Sequence, residues 1–219
     1  MSFGLHKSAS TYTFLVLRKL LQNLGADPEV IDDDLFLKRD NSDQIWTRLQ
    51  NPDSCFLVKT HRRAPHFLQE LKHSIKSIAN IRDPRDIALS MIDAGKDSRE
   101  KKLDDSMREV YGIHDAANLI RLDVNALKTW IGNTDTRILP FQDICFNSKS
   151  TFFKATQWLL GQSPTKDAIE EAMQSIKDEK NFRFNVGIQC RYKSEMSDRH
   201  SAYFLDRFSD FYLMNLLLD

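Results

Sequence analysis

Apolar residues recur at helical spacing from Tyr12 to Leu24, where Phe14, Leu17, Leu20, Leu21 and Leu24 share one face and Gly25 ends the run. Short apolar runs alternate with such helical stretches, and Ser2–Leu5, Cys55–Val58, Ser77–Ile81 and Arg137–Phe141 are predicted as strands. The runs "CFLV" and "SIANI" are continuous rather than alternating, which is the pattern of parallel strands buried on both faces. Together these elements predict an α/β fold in three layers, a mainly parallel sheet flanked by helices.

Between Asp93 and Asn133 the pattern is helical but polar. "DSREKKLDDSMREVYG" reads as a solvated helix or a mobile connection. "AANLIRLDVNALKTW" sets Leu119, Leu122, Ala126, Leu127 and Trp130 on one face and is expected to pack on the sheet. The last stretch, "AYFLDRFSDFYLMNLLLD", carries a broad apolar face through Phe204, Phe208, Phe211 and Leu216. Core packing is the favoured reading of that face, and a homodimer surface is the alternative.

Composition narrows the class. At 219 residues the chain fits one domain, residues 1–219, with no repeat, low-complexity tract or linker to divide it. Lys plus Arg equals Asp plus Glu at 31 each, so no global field draws the protein to nucleic acid or to an anionic membrane surface. Any anion site must therefore be local. Cys55, Cys145 and Cys190 are odd in number and lack CxxC spacing, which points to reduced thiols and gives no support to a metal site. The N-terminal residues lack the basic start and apolar run of a signal peptide, and no window reaches the roughly 18 apolar residues of a membrane span. A cytoplasmic protein is the expectation.

Three stretches follow three predicted strands, where ligand sites of open α/β sheets gather: "GLHKSAST", "VKTHRRAP" and "NIRDPRDIALS". In the first, Lys7 stands among Ser8, Ser10 and Thr11 at the mouth of a helix, where free N–H groups and the positive dipole end attract an anion. A plain helix N-cap with spare hydroxyls remains the other reading. The phosphate loop G-x-x-x-x-G-K-[ST] is absent. In the third, Arg82 leaves a strand, Pro84 starts a helix and Ser90 lies two turns along it, so an arginine and a hydroxyl can grip one phosphate from two sides. Pairing of Arg82 with Asp83 or Asp86 is the structural alternative.

In this order the three stretches resemble the sulfotransferase family that uses 3′-phosphoadenosine 5′-phosphosulfate (PAPS). "HKSASTY" is similar to that family's Pro-Lys-Ser-Gly-Thr-Thr-Trp, "VKTH" to its Lys-Thr-His, and "RDPRDIALS" to its Arg-Asn-Pro-x-Asp-x-x-x-Ser. "ILPFQDICFNSKSTFFKATQWLLG" is a weaker match to its strand, Tyr-Glu-Asp turn and helix. The resemblance covers about Ser2 to Gly161 and implies a P-loop-NTPase-like sulfotransferase fold. It further implies that a sulfuryl group passes from PAPS to a hydroxyl or amine of a small-molecule or glycan acceptor, without a metal. Lys7, Ser8, Ala9, Ser10 and Thr11 would hold the 5′-phosphosulfate, Tyr12 would lie against adenine, and Arg82 and Ser90 would take the 3′-phosphate. His61 would be the catalytic base and Lys59 would neutralise the sulfuryl oxygens. His6 and His66 are lesser rivals to His61, and Arg62 and Arg63 are read as a solvated loop, with engagement of an acidic acceptor as the alternative.

Several positions depart from the family pattern. Tyr12 replaces tryptophan, Ala9 replaces glycine, and Phe141 and Gln142 replace tyrosine and glutamate. The family's late Arg-Lys-Gly segment has no clean equivalent, and Arg191 in "CRYKSEM" is its nearest counterpart. The first strand also begins almost at the first residue, without the leader of the family's cytosolic members. Two other readings stand beside transfer: a nucleotide-binding module of the same fold without turnover, and a kinase-like phosphotransferase.

Overall fold

The computed structural model describes residues 2–26, 28–31, 47, 56–65, 68, 75–177 and 188–214. Five strands, β1 (Ser2–Gly4), β2 (Glu29–Ile31), β3 (Phe56–Thr60), β4 (Lys76–Ile81) and β5 (Asp135–Pro140), pair in the order β2-β3-β1-β4-β5. Every pairing is parallel. Phe3 is in register with Thr60 and Gly4 with Asn80, so the carboxyl ends of β3, β1 and β4 lie level at the middle of the sheet. The chain leaves β1 for β2 and β3 on one side and then crosses to β4 on the other. That reversal opens the crevice in which ligands of such sheets sit.

Nine helices are described: α1 (Ser10–Asn23), α2 (Pro84–Glu100), α3 (Ile113–Asn133), α4 (Phe141–Phe146), α5 (Ser148–Leu160), α6 (Lys166–Lys177), α7 (Tyr192–Glu195), α8 (Asp198–Arg207) and α9 (Ser209–Leu213). Strand alternation divides them between two faces. Ala79 and Ile81 of β4 join the core formed with α2, α3, α8 and α9, whereas Ile78 joins the core of α1, α5 and α6. The result is three layers with the sheet in the middle. β4 is buried along all but its first residue, in keeping with its continuous apolar run.

Several boundaries differ from expectation. β3 runs to Thr60 rather than stopping at Val58, and Cys55 lies outside the described residues. β5 ends at Pro140, because Pro140 adopts an extended conformation at the N-cap and Phe141 opens α4. β2 is a strand the pattern did not announce: it has three residues, two of them exposed.

The polar stretch after Asp93 is neither a fully solvated helix nor a loose connection. α2 ends at Glu100, and the loop beyond it folds back to bury Met107 and Val110 in the core. Gly95 allows the approach, since a Cβ there would stand 2.4 Å from the Val110 carbonyl oxygen. Arg99 then donates to that carbonyl at 2.9 Å and to the Arg108 carbonyl at 2.6 Å. On α3, Ala126, Leu127 and Trp130 are buried as expected, but Leu122 is 57% exposed at the edge of the stripe. Phe204, Phe208 and Phe211 are buried inside the chain, and Leu216 lies outside the described residues.

Candidate functional site

The turn from β1 into α1 is built on two residues in the left-handed region, Lys7 at φ 58° and Ala9 at φ 65°, with Ser8 between them. Leu5 N–H donates to the Asn80 carbonyl at 3.0 Å and so fastens the turn to β4. The Ser8 hydroxyl donates to the Leu5 carbonyl at 2.5 Å and is fully buried. Ala9 stands at the N-cap of α1 without a side-chain oxygen, so the helix opens with no side-chain cap. A helix start without a cap leaves backbone N–H groups that an anion can satisfy. Ser10 is buried at that start, Thr11 is exposed beside it, and Gly4 is needed beneath, since a Cβ there would come 2.3 Å from the Ser10 Cβ. Lys7 is half-buried. Burial lowers its pKa, and the charges of Asp105 and Asp97 oppose that shift.

Arg82 emerges from β4 one strand away and is 6% exposed. Its guanidinium donates to the Lys7 carbonyl at 3.1 Å and to the Ile188 carbonyl at 2.9 Å, and it lies 4.0 Å over the Phe141 ring. Among the described residues its Nε is buried with no partner. Burial also lowers the Arg82 pKa, against the pull of Asp86. Asp86, on the first turn of α2, accepts from Cys190 N–H at 2.8 Å and Tyr192 N–H at 3.1 Å. Those bonds draw the 188–192 segment over Arg82. A cavity of about 170 Å³ lies there, lined by Arg82, Asp86, Phe141, Gln142 and Tyr192 among others.

The second stretch, "VKTHRRAP", is fixed by α3. Trp130 Nε1 donates to the Arg62 carbonyl at 2.8 Å, and Ala64 N–H donates to Thr129 Oγ1 at 2.8 Å. His61 Nδ1 lies 2.5 Å from the Gly4 carbonyl, which only accepts, so Nδ1 carries the proton. His61 Nε2 then accepts from the Lys59 ammonium at 3.3 Å. Burial, reinforced by neighbouring His6 and Lys59, pushes the His61 pKa down to about 3. The ring is neutral across the physiological range.

Against His61 stacks His6, with ring centroids 4.0 Å apart and planes 16° from parallel. His6 is tied to Asp123 of α3 twice: its backbone N–H donates at 2.8 Å, and its Nδ1 lies 2.8 Å and 2.9 Å from the two carboxylate oxygens. A cavity of about 460 Å³ opens beside both imidazoles, walled by Leu119, Leu122 and Ala126 on α3 and by Arg62 and Arg63 opposite. Leu122, out of place as a core residue, is part of this wall.

Lys7, Ser8, Ala9 and Ser10 thus gather at one strand end, Arg82 at the next, and Lys59 with His61 at the third. Lys7 and Arg82 are joined directly by the carbonyl bond. Ser90 is buried on α2, 3% exposed. Tyr12 is also 3% exposed and meets Phe152 edge-to-face, so it presents little ring face to a base, and burial raises its pKa to about 12. Arg191 turns elsewhere, to Asp93 at 2.8 Å and Glu195 at 2.6 Å, and hydrogen bonding to Glu195 raises its pKa. His66 lies outside the described residues. Sequence reasoning passed over Asp123 and Phe141 as site residues. Asp123 had left a trace, since a carboxylate set among Ile120, Val124 and Leu127 occupies the buried side of a helix and calls for a partner.

No family model matches the sequence, and no curated protein matches it. Among the described residues no helix is long and apolar enough to cross a membrane, and no group of three or more His, Cys, Asp or Glu side chains is placed to hold a metal ion. Among solved structures the chain is similar to mouse sulfotransferase SULT7A1 complexed with PAP, at 12% identity and a TM-score of 0.66 over 95% of this chain and 81% of that one. The order of strands, the helical layers and this likeness agree, and the chain has the three-layer α/β fold of a sulfotransferase.

Proposed function

We propose that this chain, acting as one domain over residues 1–219, transfers a sulfuryl group from PAPS to a hydroxyl or amine acceptor by in-line displacement. One observation carries the reading: two anion grips stand at neighbouring strand ends and are coupled, because Arg82 donates to the carbonyl of Lys7. The residues fit such a nucleotide. The uncapped start of α1 suits a 5′-phosphate, and the buried, unpartnered Nε of Arg82 suits a second anion.

The nucleotide, when bound, supplies the sulfuryl group and a phosphate leaving group. Lys7 balances the charge that grows on that phosphate, while Ser10, Thr11 and the N–H groups around Ala9 hold it, and Ser8 joins them only by leaving the Leu5 carbonyl. Arg82 and Ser90 take the 3′-phosphate, and Tyr12 meets the adenine only by turning its buried ring away from Phe152. Arg191 joins them only by leaving Asp93 and Glu195. Lys59 neutralises the sulfuryl oxygens, and His61 is the neutral imidazole of the Lys-Thr-His stretch. The cavity beside the imidazoles, walled by leucines on one side, supports a small acceptor with an apolar body.

Calorimetry with 3′-phosphoadenosine 5′-phosphate (PAP) and with ADP tests the grips: PAP is expected to bind at least tenfold more tightly, and equal affinities would sink the roles of Arg82 and Ser90. Lys7→Ala is expected to abolish most transfer while leaving the melting temperature nearly unchanged. A nucleotide-binding module without turnover is the second reading, favoured by the commitment of Arg191 to two carboxylates. PAP binding without transfer to any of a broad panel of acceptors would decide for it.

A further inference from the structure

The two stacked imidazoles are not equivalent. His61 has both ring nitrogens engaged, Nδ1 with the Gly4 carbonyl and Nε2 with the Lys59 ammonium. His6 has one engaged: Nδ1 donates to the Asp123 carboxylate, which fixes the tautomer and leaves the lone pair on Nε2. Among the described residues Nε2 of His6 takes no hydrogen bond. Its side chain is 28% exposed and faces the 460 Å³ cavity, whereas that of Asp123 is 4% exposed behind it.

We propose that His6, oriented by Asp123, is the general base that takes the acceptor's proton. The proposal rests on the sulfuryl-transfer reading above. His6 immediately precedes Lys7 in the chain, so base and leaving-group cation are carried by one rigid turn. As the acceptor oxygen forms its bond to sulfur, its proton passes to His6 Nε2. The bond from sulfur to the bridging oxygen breaks, and its electron pair leaves with the phosphate beside Lys7. The resulting imidazolium lies against the Asp123 carboxylate and releases its proton to solvent through the cavity. A carboxylate–imidazole pair of this kind orients the ring and balances the charge that forms on it. His61, stacked on the same ring, holds it from the other side and is a positioning residue.

The charged and titratable groups around His6 come from every neighbouring element: Lys7 in its own turn, Lys59 and His61 at the end of β3, Arg62 and Arg63 beyond it, and Asp123 on α3. Among these described residues Asp123 is the one carboxylate.

The test pairs His6→Asn with His61→Asn, since asparagine places an amide N–H near the position of Nδ1 and so keeps each donor bond while removing Nε2. Single-turnover transfer from PAPS is measured to phenol and to a nitrophenol that is already largely ionised, and PAP affinity is measured by calorimetry. His6→Asn is expected to slow transfer to phenol by roughly 10²-fold or more, to slow transfer to the nitrophenol much less, and to keep PAP affinity within about twofold. His61→Asn is expected to slow phenol at least tenfold less than His6→Asn does. Asp123→Asn is expected to displace the acid limb of the wild-type pH profile, which a merely structural carboxylate leaves in place.

A second readout is independent of turnover. The lone pair of a neutral ring nitrogen attacks a carbonyl of diethyl pyrocarbonate and expels ethyl carbonate, so peptide mass spectrometry is expected to find His6 modified before His61. His61 modified first, or near-normal phenol transfer by His6→Asn, overturns the base assignment while the transferase reading stands. A wild type that binds no PAP, or binds it and transfers to none of a broad panel of hydroxyl and amine acceptors, overturns the reading and the base with it.

Discussion

Ala9 tests whether the turn before α1 is a strained, preset cradle. It sits at φ 65° and ψ 20°, where an L residue is disfavoured by about 1–2 kcal/mol and glycine is not. Glycine loses about 0.5–1 kcal/mol more chain entropy on folding than alanine. Ala9 is half-buried against the α1 and α5 core, so its methyl returns a further ~0.4 kcal/mol, half of a fully buried carbon. The balance leaves Ala9→Gly more stable by about 0.5 kcal/mol, or roughly 1–2 °C in a chain of this length. Ala9→Val goes the other way, by about 2 kcal/mol, because a β-branched side chain at positive φ is an outlier. Urea unfolding at 25 °C, followed by the fluorescence of buried Trp130, gives both values. The order glycine, alanine, valine is the required result. If Ala9→Gly were the least stable of the three, the methyl would be a packing element and the strain argument would be wrong.

Gly4→Ala brings a Cβ 2.3 Å from the Ser10 Cβ and is expected to destabilise by about 1–3 kcal/mol in the same assay, with loss of PAP binding as the start of α1 shifts. Asp86→Ala removes the acceptor of the Cys190 and Tyr192 N–H groups, so limited proteolysis is expected to cut the 188–192 segment faster; an unchanged cutting rate would mean that other contacts hold it. His61 carries a stability signature in pH. Its folded pKa of about 3 lies below the unfolded value near 6.5, so the unfolded chain binds a proton that the native ring refuses, and the contribution present above pH 6.5 is lost as pH falls towards 3. Wild type is therefore expected to lose stability relative to His61→Gln by up to about 1.4 kcal/mol per pH unit between pH 6 and pH 4. Parallel curves for the two proteins would show that the ring is not buried neutral.

The central parallel sheet was legible because burial on both faces writes continuous apolar runs, as in Lys76–Ile81, and because ligand stretches sit beyond such runs. The edge strand Glu29–Ile31 was not, since three residues with two exposed carry no pattern. The loop after Glu100 also escaped notice. Its polar composition predicts solvent, and only the closeness allowed by Gly95 brings Met107 and Val110 inside. Lys7, Arg82 and His61 were visible as types at strand ends. Their partners were not, because carbonyls, rings and carboxylates distant in the chain do the holding: Ile188 and Phe141 for Arg82, Gly4 for His61, Asp123 for His6.

Those distant partners give the site its electrostatic character. The chain has no net charge, yet Lys7, Lys59, Arg62, Arg63 and Arg82 all stand at the carboxyl ends of three adjacent strands. The field is local because the nearby carboxylates are committed to other groups. Asp86 is turned to backbone N–H groups and Asp123 to an imidazole, while Asp97 on α2 and Asp105 in the loop after it act on Lys7 by charge alone. Burial holds down the pKa values of Lys7 and Arg82, a cost that falls once a polyanion lies between them. An anion with charge at two separated points relieves both cations at once, whereas one with charge at a single end relieves one. That difference is why the comparison of PAP with ADP, rather than the binding of either alone, bears on what the site is for.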